Sequence, residues 1–201
     1  TMPIWTVPHI RFADQVVLSG DGMEDMMMDM GMGGTVSGSV LSEGPGFLVI
    51  HAAATADDGS LTFGEVIGVE PVEAGFTHDV TVELDGVASP IVYPMLHVDT
   101  GVAGEYEFGT VEGADGPVVV DGNVVTYPIA AAPSIVYDGM LDGTTLWMEQ
   151  AVIDAPGWLV IHADNGEGSF GAVIGQAQVY PGVNTQIPIT LTEEGMTEAL
   201  Y

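Results

Sequence analysis

The sequence of 201 residues contains no cysteine and no lysine, and Arg11 is its only arginine. Without cysteine the chain has no disulfide framework, no thiolate metal ligand and no cysteine nucleophile. Without lysine it has no Walker-type phosphate loop. Its 29 acidic residues give a net charge of -28. That charge argues against binding to nucleic acid or to anionic membranes, because both need Lys or Arg.

Long apolar runs and catalytic motifs are also missing. No uninterrupted apolar stretch approaches the ~20 residues that span a bilayer. There is no Gly-x-Ser-x-Gly nucleophile elbow, and no carboxylate pair stands out for glycoside hydrolysis. We therefore expect a protein that is not an enzyme, binds no nucleic acid and does not insert into membranes. The apolar fraction of 47% suffices for a packed core, and the acidic excess is typical of extracellular, high-salt or cation-binding proteins.

A long internal repeat organises the chain. Gly46–Gly68 reads GFLVIHAAATADDGSLTFGEVIG, and Gly157–Gly175 reads GWLVIHADNGEGSFGAVIG. Both copies have an aromatic residue after glycine, then Leu-Val-Ile-His-Ala, a polar turn and Phe-Gly-x-Val-Ile-Gly. Such self-similarity indicates an array of one repeated unit.

A second match sets the unit boundaries. Thr1–Ile10 (TMPIWTVPHI) and Thr126–Ile135 (TYPIAAAPSI) share Thr-x-Pro-Ile, three residues, and Pro-x-Ile. We therefore predict that residues 1–7 form the last strand of a preceding unit or a donor strand. Residues 8–132 form a complete unit, and residues 133–201 form a partial second unit.

The pattern within each unit predicts only strands. Short apolar or alternating segments are separated by turn signals every 8–12 residues, glycine is abundant, and no segment has a convincing helical period. The predicted strands are Val16–Ser19, Thr35–Leu41, Phe47–Ala52, Val66–Val72, Asp79–Asp85, Ile91–Val98, Tyr106–Phe108, Val118–Val120, Asn123–Ile129, Ile135–Tyr137, Thr144–Ile153, Trp158–Ala163, Val173–Tyr180 and Gln186–Thr192. The expected fold is all-β, with tandem immunoglobulin-like β-sandwich units of which the second is incomplete.

The second unit stops part-way through the repeat, because Tyr201 aligns with Tyr93. Two interpretations remain open: the chain is a window cut from a longer tandem array, or neighbouring copies supply the missing strands. An open strand edge invites strand addition from another chain. The candidate donor strand comprises Thr1, Met2, Pro3, Ile4, Trp5, Thr6 and Val7.

A methionine-rich insert at residues 20–34 interrupts the first unit. It reads GDGMEDMMMDMGMGG, and the second unit lacks it. One interpretation is a surface loop whose methionines form a soft contact surface. The other is a copper site, since thioether sulfur selects Cu(I). The candidate ligands are Met23, Met26, Met27, Met28, Met30 and Met32.

Histidines recur at strand ends. His51 and His162 occupy equivalent positions in the two copies, and His97 lies near the end of another predicted strand. A site for zinc or copper would form from His51 and His97 if those two strands pair. Alternatively, each histidine donates a hydrogen bond to a loop carbonyl. The large aromatic residues Trp5, Phe47, Trp147 and Trp158 are expected to fill sandwich cores or junctions.

The repeated motifs, together with Tyr93–Thr100 (YPMLHVDT) and Gly104–Phe108 (GEYEF), resemble a domain-of-unknown-function family. Its members are secreted and surface proteins of halophiles and filamentous bacteria, often in tandem. The resemblance covers Pro8–Ile129 apart from the insert, and part of Pro133–Tyr201. It implies an extracellular immunoglobulin-like β-sandwich and brings no enzyme activity.

Family members are often richer in Asp and Asn where this chain has the stretch from Asp99 to Glu107. A calcium ion there would take oxygen ligands from Asp99, Glu105 and Glu107, and Asp99 is also a candidate ligand beside the histidines. No other cofactor is expected.

These observations favour an extracellular or cell-surface structural protein that forms a homo-polymer. It would be a tandem subunit of a fibre, sheath or surface layer, with strand donation between neighbours as one means of joining. The alternative is an extracellular copper-binding module that uses the methionine-rich insert.

Overall fold

The computed structural model describes residues 6–17, 32–85, 90–137, 140–192 and 200–201. Within these ranges the chain forms strands and no helix, which confirms the all-β prediction. The strands are β1 (His9–Arg11), β2 (Met32–Ser42), β3 (Gly46–Thr55), β4 (Leu61–Val72), β5 (Gly75–Asp85), β6 (Ile91–Val98), β7 (Val119–Val120), β8 (Asn123–Val124), β9 (Ile129–Ala130), β10 (Ser134–Val136), β11 (Met140–Asp142), β12 (Thr145–Ile153), β13 (Gly157–Asp164), β14 (Phe170–Val179) and β15 (Gly182–Thr190). In the described part, no helix has the length and hydropathy needed to cross a membrane.

The described residues divide into two compact units. The first takes the residues up to Ala13 and those from Val17 to Ala131, and the second takes Asp14–Val16 and those from Ala132 onward. In the first unit, one sheet has the order β1-β2-β5 and another the order β4-β3-β6-β9, with antiparallel pairing throughout. The short pair β7-β8 forms a third sheet.

The two larger sheets of the first unit enclose one core. Alternate residues of β5 point inward, and Val80, Val82 and Leu84 are buried as their period-two spacing predicts. Leu48 and Ile50 of β3 meet them from the other sheet. The strand order corresponds to A-B-E against C′-C-F-G, the arrangement of an immunoglobulin-like sandwich with an added C′ strand.

The second unit repeats the first five strands. β10, β12 and β15 pair as β1, β2 and β5 do, and β13 pairs with β14 as β3 pairs with β4. Its own core includes Ile161, Ile174 and Ile189. β11 pairs with β12 in addition.

Some predicted strands differ from the structure. Val16 and Val17 lie outside any strand, Leu18 and Ser19 lie outside the described residues, and the predicted strand Asn123–Ile129 is divided into β8 and β9. Tyr106–Phe108 forms turns and irregular backbone. Tyr106 and Phe108 alternate with a polar residue because both rings pack onto a neighbouring sheet, as described below.

The second glycine of Phe-Gly-x-Val-Ile-Gly has a packing role. A Cβ on Gly68 would lie 2.7 Å from the Glu83 carbonyl oxygen, and one on Gly175 would lie 3.1 Å from that of Thr190. In both units the glycine therefore lets the β4-type strand approach the β5-type strand closely. The repeat retains glycine here because a larger residue would force the two strands apart.

We predict that Gly68→Ala destabilises the first unit by about 1–3 kcal/mol, since the added methyl meets backbone rather than a movable side chain. The measurement is the free energy of unfolding from hydrogen exchange of the β3 amides. Gly44→Ala is the matched control, because a Cβ there meets nothing within 4 Å. It should change the free energy by less than about 0.5 kcal/mol. Equal effects of the two substitutions would contradict the close-packing role.

Candidate functional site: a buried histidine pair

The central strands β3 and β6 of the sheet β4-β3-β6-β9 are buried on both faces over most of their length. One face enters the core through residues such as Leu48 of β3 and Leu96 of β6. The opposite face carries the alternating partners, all of them buried: Phe47, Val49, His51, Tyr93, Met95 and His97. In register, Phe47 lies opposite His97, Val49 opposite Met95 and His51 opposite Tyr93. The two strands thus pair as the sequence hypothesis for a histidine site requires.

The two imidazole rings lean toward each other along this face. Their centroids lie 5.9 Å apart, with an interplanar angle of 29°. His51 Nδ1 lies 2.8 Å from the Gly64 carbonyl oxygen, and His97 Nδ1 lies 2.6 Å from that of Asp115. A carbonyl oxygen only accepts, so both Nδ1 atoms carry the proton. The predicted hydrogen bond to a loop carbonyl is confirmed for His97, whereas the carbonyl that accepts from His51 belongs to strand β4.

The two hydrogen bonds point in opposite directions. Gly64 belongs to β4, on the far side of β3 from β6. Asp115 precedes Pro117, which bridges to His97 along the far edge of β6. Because Nδ1 and Nε2 lie on nearly opposite sides of an imidazole ring, each Nε2 faces the side of the other histidine.

Neither Nε2 has a hydrogen-bond partner, although both atoms are buried. A buried polar group left unpaired costs roughly 1–3 kcal/mol. Burial lowers the pKa of both histidines, and for His97 the nearby His51 lowers it further. The pair is therefore a set of neutral imidazoles that present lone pairs at a desolvated position.

Aromatic rings surround the pair. Phe63 contacts His51 edge-on, with ring centroids 5.6 Å apart. Tyr106 and Phe108 contact His97 at 5.7 Å and 4.9 Å. Burial, and secondarily the Asp115 carboxylate, raise the pKa of Tyr106 to about 12, so its hydroxyl stays protonated. These rings exclude water from the imidazoles.

Asp115 fixes the segment that carries these rings. Its side chain is fully buried, and its carboxylate accepts hydrogen bonds from the amides of Thr100 (2.7 Å) and Glu107 (2.6 Å). Its own amide donates to Thr100 Oγ1, while its carbonyl accepts from His97. One residue thus closes the loop from Asp99 to Gly116 and orients a histidine.

The candidate calcium ligands serve within this loop instead. Asp99 Oδ2 accepts from the Gly104 amide, and Glu107 Oε2 accepts from the Val102 amide. Asp99 Oδ1 is buried without a partner, yet no three His, Cys, Asp or Glu side chains converge on a metal position in the described ranges. Asp99 and the histidines therefore do not form one such group, and Glu105 does not add to it.

Several predicted residues lie outside the described part of the chain. These are Thr1, Met2, Pro3, Ile4 and Trp5 of the donor strand, and Met23, Met26, Met27, Met28 and Met30 of the insert. Thr6 and Val7 are exposed and lie outside any strand, and Met32 opens β2. Donor-strand assembly and copper binding by the insert stay predictions.

The second unit reproduces half of the site. His162 Nδ1 lies 2.9 Å from the Gly171 carbonyl oxygen, and the His162 ring contacts Phe170 at 5.6 Å. Tyr201 exchanges two backbone hydrogen bonds with His162, of 2.7 Å and 3.0 Å. His51 pairs with Tyr93 at the same register position, so the predicted equivalence of Tyr201 and Tyr93 is confirmed.

Trp158 differs in exposure from its counterpart in the first unit. It occupies the position of Phe47 in the repeat, yet it is 59% exposed whereas Phe47 is 2% exposed. In the first unit, Tyr106 covers Phe47, with ring centroids 5.2 Å apart. Trp158 therefore does not fill a core, because no described segment covers it, and its alternative place at a junction stays a prediction.

The sequence pattern does not identify the residues that orient and cover the pair of His51 and His97. Gly64 lies in a bulge of β4, since Gly64 and Glu65 together oppose Ala52 alone. The recurrence of Phe-Gly beside both His51 and His162 was the available signal. Asp115 stands in an Asp-Gly pair, and nothing local in the sequence distinguishes it from the other Asp-Gly pairs.

Fold and site together define a tandem all-β protein whose repeated unit is built around a histidine-bearing central strand. A family model described as Domain of unknown function (DUF7282) matches residues 24–131 and again residues 134–199. The chain belongs to this family and contains its domain in two successive matches, which confirms the repeated-unit prediction. No curated protein and no solved structure matches the chain.

We predict that Asp115→Asn loosens the loop by about 1–3 kcal/mol, because an amide side chain accepts with only one of its two polar atoms. Hydrogen exchange at the Thr100 and Glu107 amides measures the effect, and at least one should exchange faster. Asp121→Asn is the matched control: Asp121 is exposed and has a similar backbone angle, φ 50° against 48° for Asp115. Unchanged exchange at both amides would show that the carboxylate does not hold the loop.

Proposed function

We propose that this chain is an extracellular structural protein, a tandem β-sandwich subunit of a fibre, sheath or surface layer. The observation that supports the proposal most is the uncovered face of the second unit. In such an array, a segment resembling β6 and the loop after it completes each unit. Units would then associate through backbone pairing and buried aromatic surface rather than through a ligand.

Matched residues of the two units support completion of this kind. Phe170 corresponds to Phe63 and is 69% exposed, against 44% for Phe63. Trp158 shows the larger contrast with Phe47 described above. An apolar face that is more exposed in one copy than in the other is consistent with a surface that another segment covers.

The edge of β13 supports the same conclusion. β13 pairs with β14 along one edge, but along the other edge the described residues supply only Leu200 and Tyr201. Alternate residues of a strand direct their amides to the same edge. The amides of Trp158 and Val160 therefore point, like that of His162, toward this edge, where β6 lies in the first unit. Unpaired edges of this kind are sites for strand addition.

The charge of the chain fits an assembly stabilised by salt. With a net charge of -28, copies repel one another unless counterions screen them. The screening length is about 10 Å at 0.1 M salt and about 3 Å at 1 M. High salt or divalent cations would thus permit side-by-side packing, while the same charge keeps separate chains in solution.

We predict that a peptide with the β6 sequence, Ile91–Val98, binds the second unit and changes the fluorescence of Trp158. Val160→Pro should abolish this binding, because proline removes the amide that faces the open edge and leaves the bonds to β14 intact. Titration of the peptide, followed by tryptophan fluorescence, measures the affinity.

Val160→Thr is the control for that experiment, since it keeps the amide and the β-branched shape. It should bind the peptide as the unsubstituted chain does. Equal binding by the proline variant would exclude strand addition at this edge, and so would peptide binding that leaves the Trp158 signal unchanged.

We also predict that filaments formed in high salt dissociate on dialysis into low salt with a chelator, because the acidic surfaces then repel. Electron microscopy detects the filaments, and the intact mass of the dissociated chain identifies the subunit. A mass of 20.9 kDa would indicate completion between copies, and a much larger mass would indicate one long tandem chain. Filaments that survive the dialysis would contradict the role given to charge.

A further inference from the structure

We propose that His51 and His97 bind a monovalent copper ion between their Nε2 atoms. None of its proposed ligands belongs to the methionine-rich insert, and the site is independent of the structural role proposed above. Its basis is the buried and unpartnered pair of imidazole nitrogens on the face of β3 and β6 opposite the core.

The two Nε2 atoms are buried and unpartnered on rings that lie close together. They make no hydrogen bond to each other or to any other group, yet they are shielded from solvent. The ring centroids lie 5.9 Å apart, and the ring planes are inclined to each other by 29°. An ion between the two nitrogens would satisfy both lone pairs at once.

Both rings are oriented in the way that proteins commonly orient metal-binding histidines. A ligating histidine usually donates its other ring N–H to a carbonyl or carboxylate, which fixes the tautomer and the ring plane. Gly64 and Asp115 supply these carbonyls to His51 and His97. Asp115 also closes the loop over the site, so the same residue orients a ligand and restricts access to it.

The ligand set favours copper(I) over zinc. Structural zinc takes four ligands, with thiolate or carboxylate charge commonly among them. In the described ranges no third His, Cys, Asp or Glu joins the pair. Phe63, Tyr106 and Phe108 make the surroundings apolar. Burying a dication there would be costly, whereas a soft monovalent ion accepts few neutral ligands.

Met95 provides a third soft group near the pair. It is 2% exposed and lies two residues before His97, on the same face of β6. In register it stands between the two histidine positions, opposite Val49. Thioether sulfur is a preferred ligand of copper(I). Two imidazoles and one thioether would form a neutral set suited to this ion.

The test is a titration of the full chain with copper(I) against the chromophoric competitor bicinchoninate, under reducing conditions. His51→Asn and His97→Asn each remove Nε2 but retain a donor at the position of Nδ1. Each should weaken one bound equivalent by at least roughly 100-fold. His162→Asn is the matched control: it alters the same repeat position and a similar hydrogen bond to Gly171. It should change the affinity less than about twofold.

A second variant separates this site from the insert. In it, leucine replaces Met23, Met26, Met27, Met28, Met30 and Met32. This variant should retain the histidine-dependent equivalent. The proposal fails if that equivalent disappears with the insert methionines, if it survives in both histidine variants, or if zinc binds the unsubstituted chain as tightly.

Nitrogen NMR of the unsubstituted chain gives a readout that does not depend on how the variants fold. One equivalent of copper(I) should shift the Nε2 resonances of two histidines and leave the His162 resonances in place. Equal shifts at all five histidines, or none, would overturn the assignment.

Discussion

The central strand of a unit needs hydrogen-bonding partners along both edges and packing partners against both faces. β3 pairs with β4 and β6, and every residue from Gly46 to His51 is buried. One face enters the sandwich core. Among the described residues no second sheet lies against the other face, and a loop anchored by Asp115 covers the part around Phe47 and His97. The burial of the histidine pair and the exposure of Trp158 both follow from this requirement.

Where no described residue covers this face, as at Trp158, the free-energy consequence is sizeable. A tryptophan buries about 150–250 Å², so covering the exposed part of Trp158 contributes roughly 3 kcal/mol at about 25 cal/mol per Å². Backbone pairing along β13 would add to this. These terms favour any arrangement, within one long chain or between copies, that places a β6-type strand beside β13.

The sequence predicted the strands better than it predicted the site. Alternation located β5, the apolar run located β3, and Ile91–Val98 was predicted with its observed bounds, because burial on one or both faces leaves a direct periodic signal. The pairing of His51 with His97 was a hypothesis conditional on adjacent strands. Asp115 and Tyr106 were not predicted, since a fully buried loop carboxylate and a ring that covers a sheet depend on tertiary contacts. The repeat position of Trp158 does not distinguish a core from a junction, because the burial of such a ring depends on a segment distant in sequence.

Hydrogen exchange of the β13 amides tests most directly whether a neighbouring segment completes the second unit. The experiment compares the 201-residue chain alone with assemblies isolated in high salt. We expect the Trp158 and Val160 amides to exchange rapidly in the separate chain and to become protected in assemblies. The amides of Leu159 and Ile161, which face β14, should be protected in both states. Equal, rapid exchange at Trp158 and Val160 in both states would contradict completion of the unit at this edge.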